Sequence, residues 1–146
     1  MLAPAAMSRH VRQANAHAYS RVGVETGVDA ATPHQLVTML FDGFGDAIAQ
    51  ARNAMQRRDI EAKCKAITRA VRIVDEGLKA SLDVRAGGKL GEDLLALYGY
   101  VAMRLTQANL NNDAAALDEC QTLLEPVRSA WAAIGPAVVA GAAEAQ

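Results

Sequence analysis

Aromatic residues and cysteines are scarce in this sequence of 146 residues. Aromatic side chains make up only 4% of the chain, so alanine and aliphatic residues must supply most of the packing of a core. The two cysteines, Cys64 and Cys120, are too few for a disulfide framework, which favours a reduced protein of the cytoplasm. Because 51% of the residues are apolar and the length suits one domain, the chain can still bury a sizeable core.

The sequence also lacks a strong charge of either sign and a long apolar run. Its formal net charge of -1 gives no reason to expect binding to nucleic acid or to an acidic membrane surface. No stretch reaches the roughly 18 consecutive apolar residues of a membrane span. The apolar stretch at residues 1–7 has no basic residue before it, unlike a signal peptide. We therefore expect a cytoplasmic protein with no nucleic-acid partner and no stable membrane insertion.

Strand patterns are nearly absent, whereas several segments show the apolar spacing of helices that pack in a bundle. One seam, at spacings of four and three, consists of Ile60, Cys64, Ile67, Val71, Val74, Leu78 and Leu82. A second seam consists of Leu117, Cys120, Leu124, Val127, Trp131 and Ile134. Between them, the residues predicted to face inward are Leu94, Leu97, Tyr98, Val101 and Leu105. Because both cysteines lie on seams, we interpret them as unreactive core thiols.

Local signals add detail to this helical pattern. Asp59 and Asp113 are predicted N-caps of the helices that follow them. Pro126 lies inside the last predicted helix, and we expect a kink over 122–126 because proline removes one hydrogen bond and clashes with the preceding turn. The cationic residues beside the first seam are expected to form a solvated face. They are Lys63, Lys65, Arg69, Arg72 and Lys79.

The sequence predicts an all-α fold, an antiparallel up-down four-helix bundle with an additional N-terminal cap helix, in one domain over residues 1–134. The bundle helices are predicted at 33–57, 59–82, 90–111 and 113–134. Their short connections favour antiparallel neighbours. The cap helix, a linker and a tail are predicted at 8–22, 23–32 and 135–146. The tail lacks helical periodicity, and we expect it to be disordered.

The helix predicted to begin at residue 33 carries more apolar surface than one neighbouring helix can cover. Thr32 is its predicted N-cap, and Pro33 suits its first position. Its apolar residues are Leu36, Val37, Met39, Leu40, Phe41 and Phe44. The second neighbour of this helix lies either inside the chain or in another protein. The cap helix, with Tyr19 and Val22 on its apolar edge, either simply covers the bundle or covers a groove that a partner also occupies.

No residue pattern indicates an enzyme, a metal site or a cofactor. The histidines are His10, His17 and His34, and none pairs with another at metal-ligand spacing. Ser20 lies one helical turn after His17, but no nearby acid would orient that histidine. The two glycines of 43–45 lie inside a predicted helix and follow no strand, unlike a phosphate-binding loop. We expect His34 to be solvated at its helix start. A phosphotransfer signalling bundle, which needs an exposed histidine in mid-helix, is the alternative function.

Several stretches of the chain resemble the FliS family of flagellar export chaperones. They are 18–26 (AYSRVGVET), 32–43 (TPHQLVTMLFDG), 58–63 (RDIEAK), 87–94 (GGKLGEDL), 97–100 (LYGY), 108–113 (ANLNND) and 130–131 (AW). The resemblance extends from residue 16 to residue 134. The chain departs from the family at Gly99, where an aspartate is common between the two tyrosines, and at Thr32, where serine is frequent.

The resemblance implies a cytosolic chaperone that is not an enzyme and uses no cofactor. Its partner would be the C-terminal segment of unpolymerised flagellin, which it would keep from premature filament assembly and deliver to a component of the flagellar type III export gate. The family ties the tyrosine that matches Tyr19 to both partners. The candidate partner-binding residues are Tyr19, Val22, Leu36, Met39, Leu40, Phe41 and Phe44. The sequence does not define the oligomeric state.

Overall fold

The computed structural model describes the backbone of residues 31–144 and the side chains of residues 31–83 and 87–135. The predicted cap helix at 8–22, with Tyr19 and Val22, lies outside these described residues, as does the linker up to residue 30. The described part of the chain contains helices and no strand. It also contains no helix that is both long and apolar enough to cross a membrane.

Within residues 31–144, four helices form a bundle. They are α1 (Pro33–Gln56), α2 (Ile60–Arg72), α3 (Val84–Asn111) and α4 (Ala114–Glu144), and α2 continues directly into a π-helical segment, Ile73–Leu78. Each helix contacts the next, and α1 also contacts α4, which closes the ring. The start of α1 meets the end of α4 where His34 binds Trp131. The end of α1 meets the start of α4 where Arg52 pairs with Asp118, so these helices are antiparallel. The predicted all-α bundle is confirmed.

The start of α1 is fixed by a capping box. The Thr32 hydroxyl accepts the backbone N–H of Gln35 at 3.1 Å, and the Gln35 side chain accepts the backbone N–H of Thr32 at 2.8 Å. Pro33 occupies the first turn, where its missing N–H costs no helical hydrogen bond. The prediction of this helix start is confirmed.

The surplus apolar surface of α1 is covered from inside the chain. Leu36, Leu40 and Phe44 are buried in the core that α1 shares with the other helices. The other buried apolar residues of α1 are Val37, Phe41, Ala47, Ile48, Ala51 and Ala54. In the described part of the chain, the second neighbour that the pattern of α1 required is therefore supplied by the bundle itself.

The region predicted as one helix over 59–82 changes its winding after Arg72. From Ile73 to Leu78 the backbone is π-helical, and the N–H of Lys79 donates to the carbonyl of Val74, five residues back, at 3.0 Å. The wider turn shifts the register of the buried face. It also places Gly77 against Leu40 of α1, where a Cβ atom would lie only 2.7 Å from Cδ2.

Two predictions for α2 were wrong, the seam position of Ile60 and the solvation of Lys63. Ile60 is 67% exposed, although the spacing placed it on the seam, and Lys63 is only 5% exposed. The Lys63 ammonium donates to the Asn109 carbonyl at 2.9 Å and to the side chain of Asn112. These acceptors lie at the C-terminal end of α3, where carbonyls lack helical partners and a cation is favoured. The N-cap role of Asp59 is confirmed, because its carboxylate accepts the N–H of Ala62 at 3.1 Å.

The breaks in α3 and α4 fall at glycines. The connection predicted over 83–89 is already helical from Val84, with a break at Gly88 (φ 56°). In α4 the break lies at Gly135 (φ 67°), and helical backbone continues to Glu144, where the sequence predicted a disordered tail. Pro126, at the end of the kink predicted over 122–126, lies in backbone with helical angles, since Gly135 is the residue of α4 whose angles are non-helical. The hydrogen bond that Pro126 removes lies on the exposed side of α4, where water can replace it.

The second predicted seam is confirmed. Leu117, Cys120, Leu124 and Trp131 are buried, and Val127 and Ile134 pack partly buried against the core. The N-cap of Asp113 is also confirmed by a bond from the N–H of Ala116 at 3.3 Å. Burial raises the pKa of the Cys120 thiol to about 11, which keeps it protonated and unreactive near neutral pH.

Candidate partner-binding groove

An apolar groove opens between the first half of α3 and the middle of α4. Its volume is about 270 Å³, which suits a few apolar side chains. Val37 and Phe41 of α1 form its floor and are nearly fully buried. Its walls are formed by Leu90, Leu94 and Tyr98 on α3 and by Pro126, Val127, Ala130, Trp131 and Ile134 on α4.

The walls of the groove are only partly covered by the bundle. Leu90 is 54% exposed, and Leu94 and Val127 are half-buried. The groove therefore presents apolar surface that a partner could remove from water, which is the favourable contribution to most protein association. We call the cavity between these α3 and α4 residues the apolar groove.

Polar groups contribute little to the apolar groove. Asp83, at its mouth, is the charged residue among the described residues that line it. Burial raises the pKa of Tyr98 to about 12, so its phenol stays neutral over the physiological range. With an aspartate and a neutral phenol as its ionisable lining groups, the groove is suited to binding apolar side chains.

His34 and Trp131 join α1 to α4 at one end of the apolar groove. His34 Nε2 donates to the Trp131 carbonyl at 2.8 Å, and Trp131 Nε1 donates to the His34 carbonyl at 3.1 Å. Their rings also stack, with centroids 4.8 Å apart and an interplanar angle of 11°. His34 is only 7% exposed, so the expectation of a solvated histidine was wrong. The reason lies outside its own helix, because Trp131 of α4 stacks on its ring and accepts its hydrogen bond.

A second, more polar cleft lies on the other side of Phe41, between α1 and α4. It has a volume of 280 Å³, and its rim carries Asp42, Asp46, Glu125 and Arg128. Arg128 donates to both carboxylate oxygens of Glu125, at 3.0 and 2.5 Å, and thereby holds the pKa of that carboxyl below its usual range. The cleft is thus bordered by ionised side chains, unlike the apolar groove.

The predicted partner-binding residues divide into three groups in the structure. Phe41 lines the apolar groove. Leu36, Leu40 and Phe44 are buried in the core, while Met39 is half-buried and packs against it. Tyr19 and Val22 lie outside the described residues.

Sequence reasoning did not identify the walls of the apolar groove as a binding surface. Leu94, Tyr98 and Trp131 have the spacing of core residues, and that spacing predicts burial rather than binding. Leu90 stands at the start of the helix as the sequence predicted it and is 54% exposed in the structure. The groove is therefore a property of the distance between two helices, which apolar periodicity does not encode.

Comparison with known proteins shows the family of the chain. A family model described as flagellar protein FliS matches residues 14–138. The flagellar secretion chaperone FliS of Salmonella typhimurium is 46% identical over 119 residues, which cover 82% of this chain and 88% of that protein. The corresponding protein of Escherichia coli is 41% identical over 114 residues, covering 78% and 84%.

A third relative, the flagellar secretion chaperone FliSB of Pseudomonas aeruginosa, is 42% identical over 113 residues, covering 77% of this chain and 89% of that protein. Flagellar secretion chaperones form a non-enzymatic family, and a chaperone of this kind implies a protein partner. Since the family model matches most of the sequence and relatives of high identity align with most of their own length, this chain belongs to the FliS family of flagellar secretion chaperones.

Proposed function

We propose that the protein is a cytoplasmic flagellin chaperone. It binds the C-terminal segment of unpolymerised flagellin, prevents premature filament assembly and delivers flagellin to a component of the flagellar type III export gate. The observation that carries this proposal is the apolar groove between α3 and α4, on a chain that belongs to a family of secretion chaperones. The groove offers an apolar partner segment a surface that the bundle leaves uncovered.

The physical chemistry of the groove fits a partner that folds as it binds. An amphipathic segment that forms a helix in the groove would place its apolar residues, three and four positions apart, against Leu90, Leu94 and Val127. Ordering such a segment costs several kcal/mol, so the apolar contact must be extensive while the net affinity stays moderate. Moderate affinity suits a chaperone, because flagellin must leave it before export.

The residues of α1 that the sequence singled out contribute in two ways under this proposal. Phe41 contacts the bound segment, because it forms part of the groove floor. Leu36, Leu40 and Phe44 act from the core, where they hold α1 in position beneath the groove. A variant of Phe41 should therefore change affinity, whereas variants of the other three should first change stability.

We further propose that the N-terminal segment competes with flagellin for the apolar groove. The described chain begins beside Thr32, and the groove floor begins at Val37, in the second turn of α1. The stretch from Tyr19 to residue 31 spans at most about 40 Å, which is enough to reach across the groove. Tyr19 and Val22 would then cover apolar surface in the free protein and give way to flagellin.

Two exposed leucines of α3 provide a matched test of the groove. Leu90 lines the apolar groove and is 54% exposed, whereas Leu110 is 77% exposed and does not line it. Leu90→Glu should weaken binding of the flagellin C-terminal segment at least about tenfold, because a buried unpaired carboxylate costs several kcal/mol. Leu110→Glu should leave the affinity unchanged.

Titration calorimetry with the purified flagellin segment measures both affinities, and melting curves confirm that both variants are folded. Equal affinity of Leu90→Glu and the wild-type protein would show that flagellin binds elsewhere on the bundle. No binding by the folded wild-type protein would contradict the proposed function itself.

A further inference from the structure

At one end of the apolar groove, Trp131 provides a wall while His34 lies behind it. Trp131 lines the groove, but His34 does not. The two residues make a stacked ring pair and two hydrogen bonds, each from a side-chain nitrogen to the backbone carbonyl of the other residue. We propose that His34 is a positioning residue for partner binding, which fixes the Trp131 indole in the orientation that completes the groove. This inference rests on the proposed function of the groove.

Trp131 lies on a part of α4 that is otherwise largely open. Its neighbours along the helix, from Arg128 to Ala130 and at positions 132 and 133, are exposed. Val127 and Ile134, about one turn before and after it, share its face of α4 and pack partly buried against the core. The helical backbone breaks at Gly135, one turn after Trp131. The two hydrogen bonds and the ring stacking, which are directional and fix the plane of the indole, join Trp131 to His34 of α1.

His34, in contrast, lies on a rigid part of α1. It is in the first helical turn, directly after the capping box of Thr32 and Gln35. Its carbonyl accepts the hydroxyl of Thr38 at 3.0 Å in addition to the indole N–H of Trp131. A binding wall is most accurately placed when the residue behind it is itself fixed by packing and hydrogen bonds. The geometry of the pair meets this condition.

The two kinds of contact in the pair can be removed separately. His34→Gln keeps an amide N–H near the position of Nε2 but removes the ring. His34→Phe keeps a ring for stacking but removes the hydrogen-bond donor, and His34→Ala removes both. Affinity for the flagellin C-terminal segment should fall in the order wild type, single-contact variants, alanine variant. The loss for His34→Ala should reach about tenfold or more.

Trp131 is the only tryptophan of the chain, so its fluorescence reports the orientation of the groove wall in the free protein. In His34→Ala its emission should shift to the red and acrylamide should quench it more strongly, because the indole becomes more accessible to water. The two single-contact variants should show intermediate emission. A role of His34 in stability alone would not produce a graded change in both emission and affinity among folded variants.

Lys63→Met provides the control for loss of stability. Lys63 lies at the opposite end of the bundle and binds the end of α3, away from the apolar groove. Its substitution should lower stability without changing Trp131 emission or affinity. If His34→Ala, like Lys63→Met, changes neither the Trp131 emission nor the affinity for the flagellin segment, the inference is overturned. If His34→Ala does not fold, His34→Gln and His34→Phe carry the same comparison.

Failure of the proposed function would be recognised separately. A folded wild-type protein that does not bind the flagellin segment contradicts the proposed function. The positioning of Trp131 is then judged from the fluorescence of the free variants, and unchanged emission in all three overturns it. Binding by the wild-type protein together with equal binding by all three variants overturns the positioning role and leaves the proposed function standing.

Discussion

Replacing Gly77 by alanine should destabilise the bundle, although alanine is the better helix former. A Cβ atom at this position would lie 2.7 Å from Cδ2 and 3.0 Å from Cδ1 of Leu40. Both distances are far below van der Waals contact. Leu40 is fully buried, so its side chain cannot turn away without displacing its own neighbours in a closely packed core. The clash must therefore be relieved by movement of α1 or of the π-helical segment.

The size of the effect follows from two opposing contributions. Overpacking a core by one methyl group costs about 1–3 kcal/mol. Replacing a helical glycine by alanine recovers about 0.5–1 kcal/mol of backbone entropy. The free energy of unfolding should therefore fall by up to about 2.5 kcal/mol, and the melting temperature by up to roughly 8 °C for a domain of this size.

Gly45 of α1 supplies the matched control. A Cβ atom there would have no neighbour within 4 Å, so Gly45→Ala should raise the melting temperature by roughly 2–3 °C. Urea and thermal unfolding followed by circular dichroism measure both variants. In a Leu40→Ala background, Gly77→Ala should no longer destabilise, since the methyl groups it meets are gone. The reasoning is refuted if Gly77→Ala stabilises the wild-type protein as much as Gly45→Ala does.

Two further substitutions test polar contacts of the bundle. Lys63→Met should lower the free energy of unfolding in urea by about 1–3 kcal/mol, because the carbonyl of Asn109 and the side chain of Asn112 lose their charged donor. Exposed Lys65→Met should change it by at most about 0.5 kcal/mol, and equal effects would contradict this role of Lys63. Hydrogen bonds from Tyr100 and Arg104 lower the pKa of Glu119 below its ordinary 4.5. Its contribution is therefore present above that pH and is lost as the pH falls through the folded pKa, so Glu119→Gln should flatten the decline of the melting temperature as the pH falls below that ordinary value. An unchanged slope would refute this role of Glu119.

The helix starts could be predicted from the sequence because capping chemistry is local. Thr32, Asp59 and Asp113 each accept a backbone N–H three residues further along the chain, and no other part of the fold is needed for that contact. The seam of α4 was predictable for a similar reason, since one helix presents one regular apolar stripe to the core.

Features that depend on a second helix could not be read from the same patterns. Lys63 has the sequence environment of a surface lysine, and it is buried because the end of α3 supplies its acceptors. The π-helical segment has no local signal that we identified, although Gly77 provides the close approach to Leu40 that this winding requires. His34 likewise has the sequence position of a solvated residue, and it is buried because Trp131 of α4 packs against it.

The sequence and the structure draw attention to apolar surface on different helices. The sequence indicated surplus apolar surface on α1, and the structure buries most of that surface in the core. The open apolar surface lies instead on α3 and α4, where Leu90 and Trp131 both line the groove. A seam residue is buried only where two helices approach closely, and the sequence does not specify how far apart the helix ends lie.

The two ends of the bundle differ in a way that separates stability from binding. At the end that holds the α1–α2 connection, Arg52 pairs with Asp118 of α4 and Lys63 binds the end of α3. At the other end the apolar groove separates α3 from α4, and His34 and Trp131 join α1 to α4. An apolar segment gains most where the bundle leaves its own apolar side chains uncovered, so the proposed flagellin contact belongs at the groove end. Polar contacts at the opposite end can hold the bundle together while the groove is empty. Variants at the Lys63 end should therefore change stability alone, whereas variants at the His34 end should change both stability and affinity.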